Sequence, residues 1–395
     1  MNPSEGKMAH GGDRYRNKIQ LDFSVNLNPL NTPECMITAM QKGIREAGFY
    51  PDPKQEAAKK AAADFYSEMS GLAIDPSRVI PGNGASELIS ATVHAICPRE
   101  VLIPAPCFTG YLHACHSERK EGSIDTPAEG DGVPLSFMGS VPDRVKFYRT
   151  KEENGFTPDE ELGIMIGPKT ELLILTNPGN PAGGMIDPAL LRRILQITRE
   201  RRIPVLLDEC FMEFTGRAEE SGLSLLSEFP NLMVLRAFTK IFAMPGLRLG
   251  ILFTADEGLR RKISAALPEW NLSCFAEAVL SAAAEESKGL KEYLKDTVQK
   301  TGRLREMMAG RLSEFGFTVY PSEANFLLVR GISEYREGLL NEGILTRNGE
   351  DMWPLTGAFT RLSVRPEEEQ EVFFATLTKL MKEKERTKLW ISRPN

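Results

Sequence analysis

The chain has 395 residues, of which 42% are hydrophobic, 26% charged and 8% aromatic. This length and apolar fraction exclude a single small module, a disordered chain and a collagen-like repeat, and they are typical of a large subunit with two or three lobes. The formal net charge is −6, from 48 Lys and Arg against 54 Asp and Glu. No general attraction to nucleic acid or to an anionic membrane follows from this balance, so an anionic ligand needs a local cluster of donors.

The cysteines and the N-terminal sequence predict a cytoplasmic protein. The six cysteines form no C-x-x-C pair, which in so long a chain indicates reduced thiols rather than a disulfide scaffold. The N-terminal sequence lacks the apolar stretch of a secretory signal. No run approaches the length of a membrane span, so we expect none.

Seven short apolar runs predict the strands of one sheet. Each run is followed by turn residues and a helical pattern, and its Val, Leu and Ile residues do not alternate with polar ones, as is typical of a sheet covered on both faces. The runs are Arg78–Ile80, Val101–Ile103, Lys146–Tyr148, Leu172–Leu175, Pro204–Leu207, Met233–Leu235 and Leu249–Phe253. This alternation of strands and helices predicts an α/β fold, with a large domain over residues 48–270 built on a mostly parallel seven-stranded sheet.

Residues 271–395 predict a smaller α+β domain. The stretch to Phe315 is rich in Glu, Lys and Ala and predicts helices. Four strand candidates follow, at Thr318–Tyr320, Asn325–Val329, Ile344–Thr346 and Thr360–Val364. A last helix begins near Pro366. We expect the N-terminal segment, residues 1–47, to pack with this domain.

The sequence after each predicted strand holds the candidate chemistry, because ligands of a parallel α/β sheet bind at the carboxyl ends of its strands. After the first strand, Gly82-Asn-Gly84 opens an apolar helix, which is an anion-binding arrangement. A nucleotide-binding fingerprint is incomplete, since Glu87 stands where the third glycine belongs and no Walker lysine follows. Taken alone, this motif is as typical of a structural turn as of an anion site.

Polar residues also follow three further predicted strands, and each of them, taken alone, has a common structural explanation. Asn180 lies in a Pro/Gly loop, and Asp208 could be a helix N-cap. Lys240 is flanked by Phe238 and other apolar side chains, so we expect burial to lower its pKa and suit it to imine formation. Arg248 follows eight residues later.

The order of these features resembles that of the fold-type I pyridoxal-phosphate (PLP) enzymes, the class I/II aminotransferase superfamily. Along the sequence, a phosphate cradle is followed by an Asn-Pro loop, an acid, a lysine and an arginine. The resemblance extends from about His10 to Gln370. It implies PLP as the cofactor, a small-molecule substrate and a homodimer.

The resemblance also implies roles for the cofactor residues. Lys240 matches the lysine that bonds covalently to the cofactor and moves protons at the substrate carbon, and Asp208 matches the carboxylate that faces the pyridine nitrogen. Asn180 matches the donor to the ring 3′-oxygen, and Arg248 matches the guanidinium that grips the phosphate. Phe108 matches the aromatic side chain that stacks on the pyridine.

The phosphate end of the cofactor is matched by further residues. Three of them form the cradle, namely Gly84, Ala85 and Ser86. Thr239 supplies a hydroxyl, since Ala237 stands where many members have a serine. Tyr50, in Tyr-Pro-Asp-Pro, matches a tyrosine that reaches the phosphate of the neighbouring subunit, so the resemblance implies that a complete site needs the homodimer.

Within the superfamily, Tyr-Pro-Asp-Pro and the Asn-rich N-terminal sequence resemble the histidinol-phosphate aminotransferase group. The chain looks more like its sister branch, the threonine-phosphate decarboxylases of cobalamin synthesis. The features that resemble this branch are a His-Gly-Gly motif, the phenylalanines Phe108 and Phe211, of which the second stands where aminotransferases usually have Tyr, and an arginine four residues after Arg361. The resemblance implies that the substrate is contacted by His10, Gly11, Asn26, Asn180, Arg347 and Arg361. Arg365 is a further candidate for the substrate phosphate.

Two reactions remain open at this point. The first is decarboxylation of a phosphorylated amino acid such as L-threonine O-3-phosphate or phosphoserine. The second is transamination of histidinol phosphate or a similar substrate. A PLP-fold binding protein without turnover is a third reading, against which Lys240 and Asp208 argue. No metal site is predicted, because the pair His113 and His116 has no third ligand nearby.

Overall fold

The structure, a computed structural model, describes residue 12 and residues 18–116 and 143–391. The strands are β1 (Leu21–Asp22), β2 (Val79–Gly82), β3 (Val101–Ala105), β4 (Val145–Arg149), β5 (Leu172–Thr176), β6 (Val205–Asp208), β7 (Leu232–Ala237), β8 (Gly250–Thr254), β9 (Thr318–Val319), β10 (Phe326–Arg330), β11 (Ile344–Leu345), β12 (Arg347–Asn348) and β13 (Phe359–Ser363). The helices are α1 (Glu34–Gly43), α2 (Glu56–Ser70), α3 (Ala85–Ile96), α4 (Thr109–His116), α5 (Glu161–Met165), α6 (Pro188–Glu200), α7 (Phe238–Ile241), α8 (Glu257–Ala266), α9 (Cys274–Glu285), α10 (Ser287–Glu314), α11 (Arg336–Asn341) and α12 (Glu367–Ile391).

The larger sheet contains a strand at each of the seven predicted runs, which confirms the α/β fold. Its strand order is β2-β8-β7-β6-β5-β3-β4. β8 is antiparallel to both of its neighbours, and the other pairs are parallel. Because β2 therefore has the same direction as β7, the carboxyl ends of β2, β5, β6 and β7 meet at one edge, where the candidate residues follow them.

A second unit of structure is built from the chain ends. Strands β12-β13-β10-β9 form an antiparallel sheet, and β1 pairs in parallel with β11. Phe23 packs there with Leu327 and Phe373 in a separate apolar core. This arrangement confirms the smaller α+β unit.

The proposed limits at residues 47 and 270 stay a prediction. α9, which follows residue 270, contributes Ala276, Val279 and Leu280 to the core of the larger sheet. In the part of the chain that the structure describes, every helix is too short or too polar to cross a membrane.

Candidate active site

A cavity of about 410 Å³ lies at the carboxyl edge of the larger sheet, within the size range of cofactor sites. Most of the predicted site residues line it, although they come from distant parts of the sequence. These are Asn26, Ala85, Ser86, Phe108, Asn180, Asp208, Thr239, Lys240, Arg248, Arg347 and Arg361.

Lys240 projects from α7, the short helix that begins where β7 ends. The N-terminal segment holds this helix in place: the Asn28 N–H donates to the Lys240 carbonyl at 3.1 Å, and Asn28 Nδ2 donates to the Ile241 carbonyl at 2.6 Å. Burial lowers the pKa of Lys240 to about 8, and the positive charges of Arg361 and Arg248 act in the same direction. A much larger share of the amine than in an ordinary lysine is therefore neutral, and nucleophilic, near physiological pH.

Asp208 stands at the end of β6 and is almost fully buried. Its Oδ2 accepts a hydrogen bond from the Tyr111 hydroxyl at 2.6 Å, and its Oδ1 accepts one from the Cys210 N–H at 3.0 Å. Burial raises the pKa of Asp208, whereas these hydrogen bonds and Lys240 lower it. A buried carboxylate held this way is a ready partner for a cationic ring nitrogen.

The predicted phosphate cradle lies where the Gly-rich turn meets Arg248. Gly84, at the start of α3, has φ +88°, and a Cβ placed on it would lie 2.5 Å from Arg248 Nη2. A Cβ on Gly250 of the adjacent strand would lie 2.7 Å from the Ala85 nitrogen. Glycine is therefore required at both positions. The free N–H groups at the start of α3 and the guanidinium together make an anion site.

Arg347 and Arg361 are paired opposite each other on β12 and β13. Arg361 donates from Nη1 to Asn180 Oδ1 at 2.6 Å and from Nη2 to the Ser24 carbonyl at 2.9 Å, while its Nε is buried without a partner in the described residues. Burial, and then the charge of Arg347, lowers the pKa of Arg361 to about 9. Arg347 Nη1 lies 3.3 Å from Asp351 Oδ2.

Two asparagines complete this end of the cavity. Asn26 is almost fully buried, and its Oδ1 has no partner among the described residues. Because a guanidinium can only donate, the contact with Arg361 fixes Asn180 with its amide oxygen toward that side chain. The amide N–H groups of Asn180 are then the ones left to donate to a ligand.

Several predicted residues do not line the cavity. Gly84 packs against the guanidinium of Arg248, which itself lines the cavity. Tyr50 is 81% exposed and packs on Trp270 at a ring distance of 4.8 Å. Arg365 forms an ion pair with Glu369 at 2.8 Å.

Two predicted substrate residues, His10 and Gly11, lie outside the described residues. Gly12, which is described, donates its N–H to Ser24 Oγ at 2.8 Å. Ser24 itself lines the cavity.

Sequence reasoning missed several residues in or next to the cavity, of which Tyr111, which contacts the cavity-lining Asp208 and Phe108, is the most informative. Its ring meets that of Phe108 edge-on, with the ring centres 5.5 Å apart. Its hydroxyl lies 2.8 Å from Thr176 Oγ1 and donates a hydrogen bond to Asp208. Tyr111 follows Phe108 by three residues at the start of a helix, and this spacing could have indicated that the two side chains lie on the same face. Thr176, Ser24 and Met352 were also missed, and they stand in loops or at strand ends without a recognisable motif.

The sequence matches the family model for class I and II aminotransferases over residues 18–377. The chain belongs to this family. A histidinol-phosphate aminotransferase of Thermococcus gammatolerans is 31% identical over 332 residues, covering 84% of this chain and 83% of that protein. A threonine-phosphate decarboxylase of Salmonella typhimurium is 25% identical over 368 residues, covering 91% of each.

Two further similarities are to a longer protein and to a solved structure. An adenosylcobalamin biosynthesis bifunctional protein of Leptospira interrogans is 29% identical over 364 residues, which cover 90% of this chain and 38% of that longer protein. The crystal structure of a histidinol-phosphate aminotransferase from Clostridium acetobutylicum superposes with a TM-score of 0.78 at 26% identity, covering 92% of this chain and 99% of that one.

Enzymes of this family are PLP-dependent, and the cavity fits that cofactor. It offers an amine with a lowered pKa at Lys240 and a buried carboxylate at Asp208. At a third point it offers an anion site, made by Arg248 and the glycine turn. An aldehyde, a basic ring nitrogen and a phosphate are the three groups of PLP that these features would hold.

Proposed function

We propose that this chain is a PLP-dependent carboxy-lyase of a phosphorylated amino acid, with L-threonine O-3-phosphate as its substrate. The pair Arg347 and Arg361 supports this proposal. The two guanidiniums face the same cavity as Lys240, and Asp351 is the one carboxylate paired with them among the described residues. Such a site suits a substrate that carries both a carboxylate and a phosphate.

Bound PLP supplies an electron sink for the negative charge that develops at the substrate α-carbon. In the proposed reaction, Asp208 holds the ring nitrogen in its protonated form, with Tyr111 and the Cys210 N–H fixing the carboxylate. Lys240 binds the cofactor through its amine, and after loss of CO₂ the ammonium form returns a proton to the α-carbon. Arg361 orients the substrate carboxylate, and Asn180 donates to the ring oxygen.

The alternative proposal is an aminotransferase of the histidinol-phosphate type. The similarity to histidinol-phosphate aminotransferases supports it, and the same Lys240, Asp208 and Arg248 would serve that reaction. The two reactions differ in which bond of the α-carbon stands perpendicular to the cofactor ring. Small rotations of the bound substrate set that choice, and the arginines control them.

We also propose that the enzyme acts as a homodimer. Phe49, Tyr50 and Ile44 are 73%, 81% and 64% exposed, and Tyr50 packs on the partly exposed Trp270, so this stretch presents an apolar patch at the surface. Arg248 is exposed as well. A second copy covering this patch would bring Tyr50 of one protomer to the phosphate site of the other.

Product analysis with L-threonine O-3-phosphate, with and without 2-oxoglutarate, tests the proposed reaction. We expect CO₂ and an aminopropanol phosphate in the absence of a keto acid. Glutamate formed from histidinol phosphate only when 2-oxoglutarate is present, without CO₂ release, would establish the aminotransferase instead. A Lys240→Ala variant, which should form neither product, is the control for cofactor chemistry.

A further inference from the structure

The short helix that carries Lys240 needs hydrogen bonds from outside itself. α7 spans only four residues, and the chain leaves the helical path soon after it, since Ala243 has φ +52°. The last carbonyl groups of a helix have no partner within the helix, and a single turn is not stable by itself. Contacts with the rest of the chain must therefore hold this turn, and with it the lysine.

The N-terminal segment supplies donors to the end of α7. The Asn28 N–H donates to the Lys240 carbonyl at 3.1 Å, and Asn28 Nδ2 donates to the Ile241 carbonyl at 2.6 Å. Thr32 Oγ1 donates to the Phe242 carbonyl at 3.0 Å. Three successive carbonyls are thus bound by residues that lie 210 to 213 positions earlier in the chain.

The surroundings of the Asn28 side chain allow it one orientation. It is buried, its Oδ1 accepts from the Leu30 N–H at 2.9 Å, and its Nδ2 lies 3.0 Å from the hydroxyls of Tyr293 and Thr297 on α10. Because the Leu30 N–H can only donate and the Ile241 carbonyl can only accept, the side-chain nitrogen must face Ile241. The amide group therefore links the N-terminal segment, α10 and the lysine helix.

The same segment also contacts the other end of the cavity. The Ser24 carbonyl accepts from Arg361 Nη2 at 2.9 Å, and Asn26 lines the cavity. Asn28 follows Ser24 by four residues. One short stretch of chain therefore supports both the proposed carboxylate site and the lysine.

We propose that Asn28 is a positioning residue, which together with Thr32 holds the Lys240 amine inside the cavity. This inference rests on the proposed role of Lys240 as the residue that binds PLP, and it applies to either of the two reactions. Without these donors the end of α7 is released, and the amine becomes more accessible to water.

The position of the amine can be measured through its pKa. Burial is the main cause of the lowered pKa of Lys240, so greater exposure should raise it. The other groups that act on the amine are Arg361 and Arg248, which lower its pKa, and Asp208 and Cys210, which raise it. All four are retained when the donors to α7 are removed.

Acetylation of Lys240 in the cofactor-free full-length chain, followed across pH by mass spectrometry, measures this pKa without PLP. We expect a midpoint of about 8 in the parent. In Asn28→Ala it should rise by about one pH unit, toward the ordinary lysine value of about 10.4. Thr32→Val keeps the size of the side chain and removes the hydroxyl, so it should shift the midpoint in the same direction by less.

Asn31→Ala is the matched control in the same segment. Asn31 is exposed, and the variant keeps the backbone carbonyl that accepts from Tyr293, so the midpoint should stay at the parent value. An unchanged midpoint in Asn28→Ala would overturn the proposal, as would an equal shift in Asn31→Ala. If Asn28→Ala fails to fold, Thr32→Val decides, and an unchanged midpoint there overturns the proposal.

Borohydride reduction of the holoenzyme, followed by peptide mapping, tests the role of Lys240 separately. We expect the cofactor to be attached at Lys240. Attachment at another residue would refute that role and this inference with it, whereas attachment at Lys240 with unshifted midpoints in the variants would refute only the positioning by Asn28.

Discussion

Replacement of Arg361 by Lys tests the substrate site without removing its charge. A guanidinium has five N–H donors, and Arg361 uses one on Asn180 and one on the Ser24 carbonyl, which leaves three for a carboxylate. A lysine has three donors, so only one remains if both protein contacts are kept. The substrate thus loses one or two charge-assisted hydrogen bonds, although the net charge is unchanged.

The loss of one such bond to a charged group costs roughly 1.5–3 kcal/mol, so substrate should bind at least about 10- to 100-fold more weakly in Arg361→Lys. The measurement is the dissociation constant of L-threonine O-3-phosphate, from the change in cofactor absorbance on titration. Arg330→Lys, on the neighbouring strand β10 and half-exposed in an ion pair with Glu152, is the matched control and should bind normally. If Arg361→Lys binds substrate as tightly as the parent, Arg361 is not the carboxylate site.

Three further outcomes are expected. Tyr111→Phe removes the 2.6 Å hydrogen bond to Asp208, which should raise the pKa of that carboxyl further and weaken PLP binding about tenfold; unaltered cofactor affinity would contradict this. Since the pKa of Lys240 is lowered to about 8, the amine gains its neutral form as pH rises through 8, so PLP should recombine with the cofactor-free protein at a rate that rises with a midpoint near pH 8. A midpoint above pH 10 would show an unperturbed lysine. We expect the enzyme to be a dimer, which equilibrium sedimentation checks. We expect Tyr50→Ala to lower its affinity for PLP, which cofactor titration checks.

The larger sheet was predictable because local sequence determines its strands. Buried strands read as uninterrupted Val, Leu and Ile runs, and the turn residues after them carry the chemistry, so both signals lie within a few residues of each other. The sequence did not predict that β8 is antiparallel to its neighbours, since a short apolar run has the same pattern in either direction.

The interior partners of the site residues were less accessible to sequence reasoning. Arg361 and Asn180 are 181 residues apart, and Tyr111 and Asp208 are 97 apart. No local pattern specifies such pairs. The ion pair of Arg365, by contrast, was accessible from the sequence, because Glu369 stands four residues later, at the spacing that the start of a helix brings into contact.

The contact between Arg361 and Ser24 joins residues 337 positions apart in the chain. Within the described residues, β11 is the one strand that pairs with β1, and the Ser363 N–H donates to the Phe23 carbonyl. During synthesis, at about 5–20 residues per second, the N-terminal segment emerges tens of seconds before these partners do. The proposed pocket for the substrate carboxylate can therefore close only near the end of translation. A chain released before residue 361 would contain Lys240 and the residues of the anion site around Arg248, but not Arg361, the arginine proposed to orient the substrate.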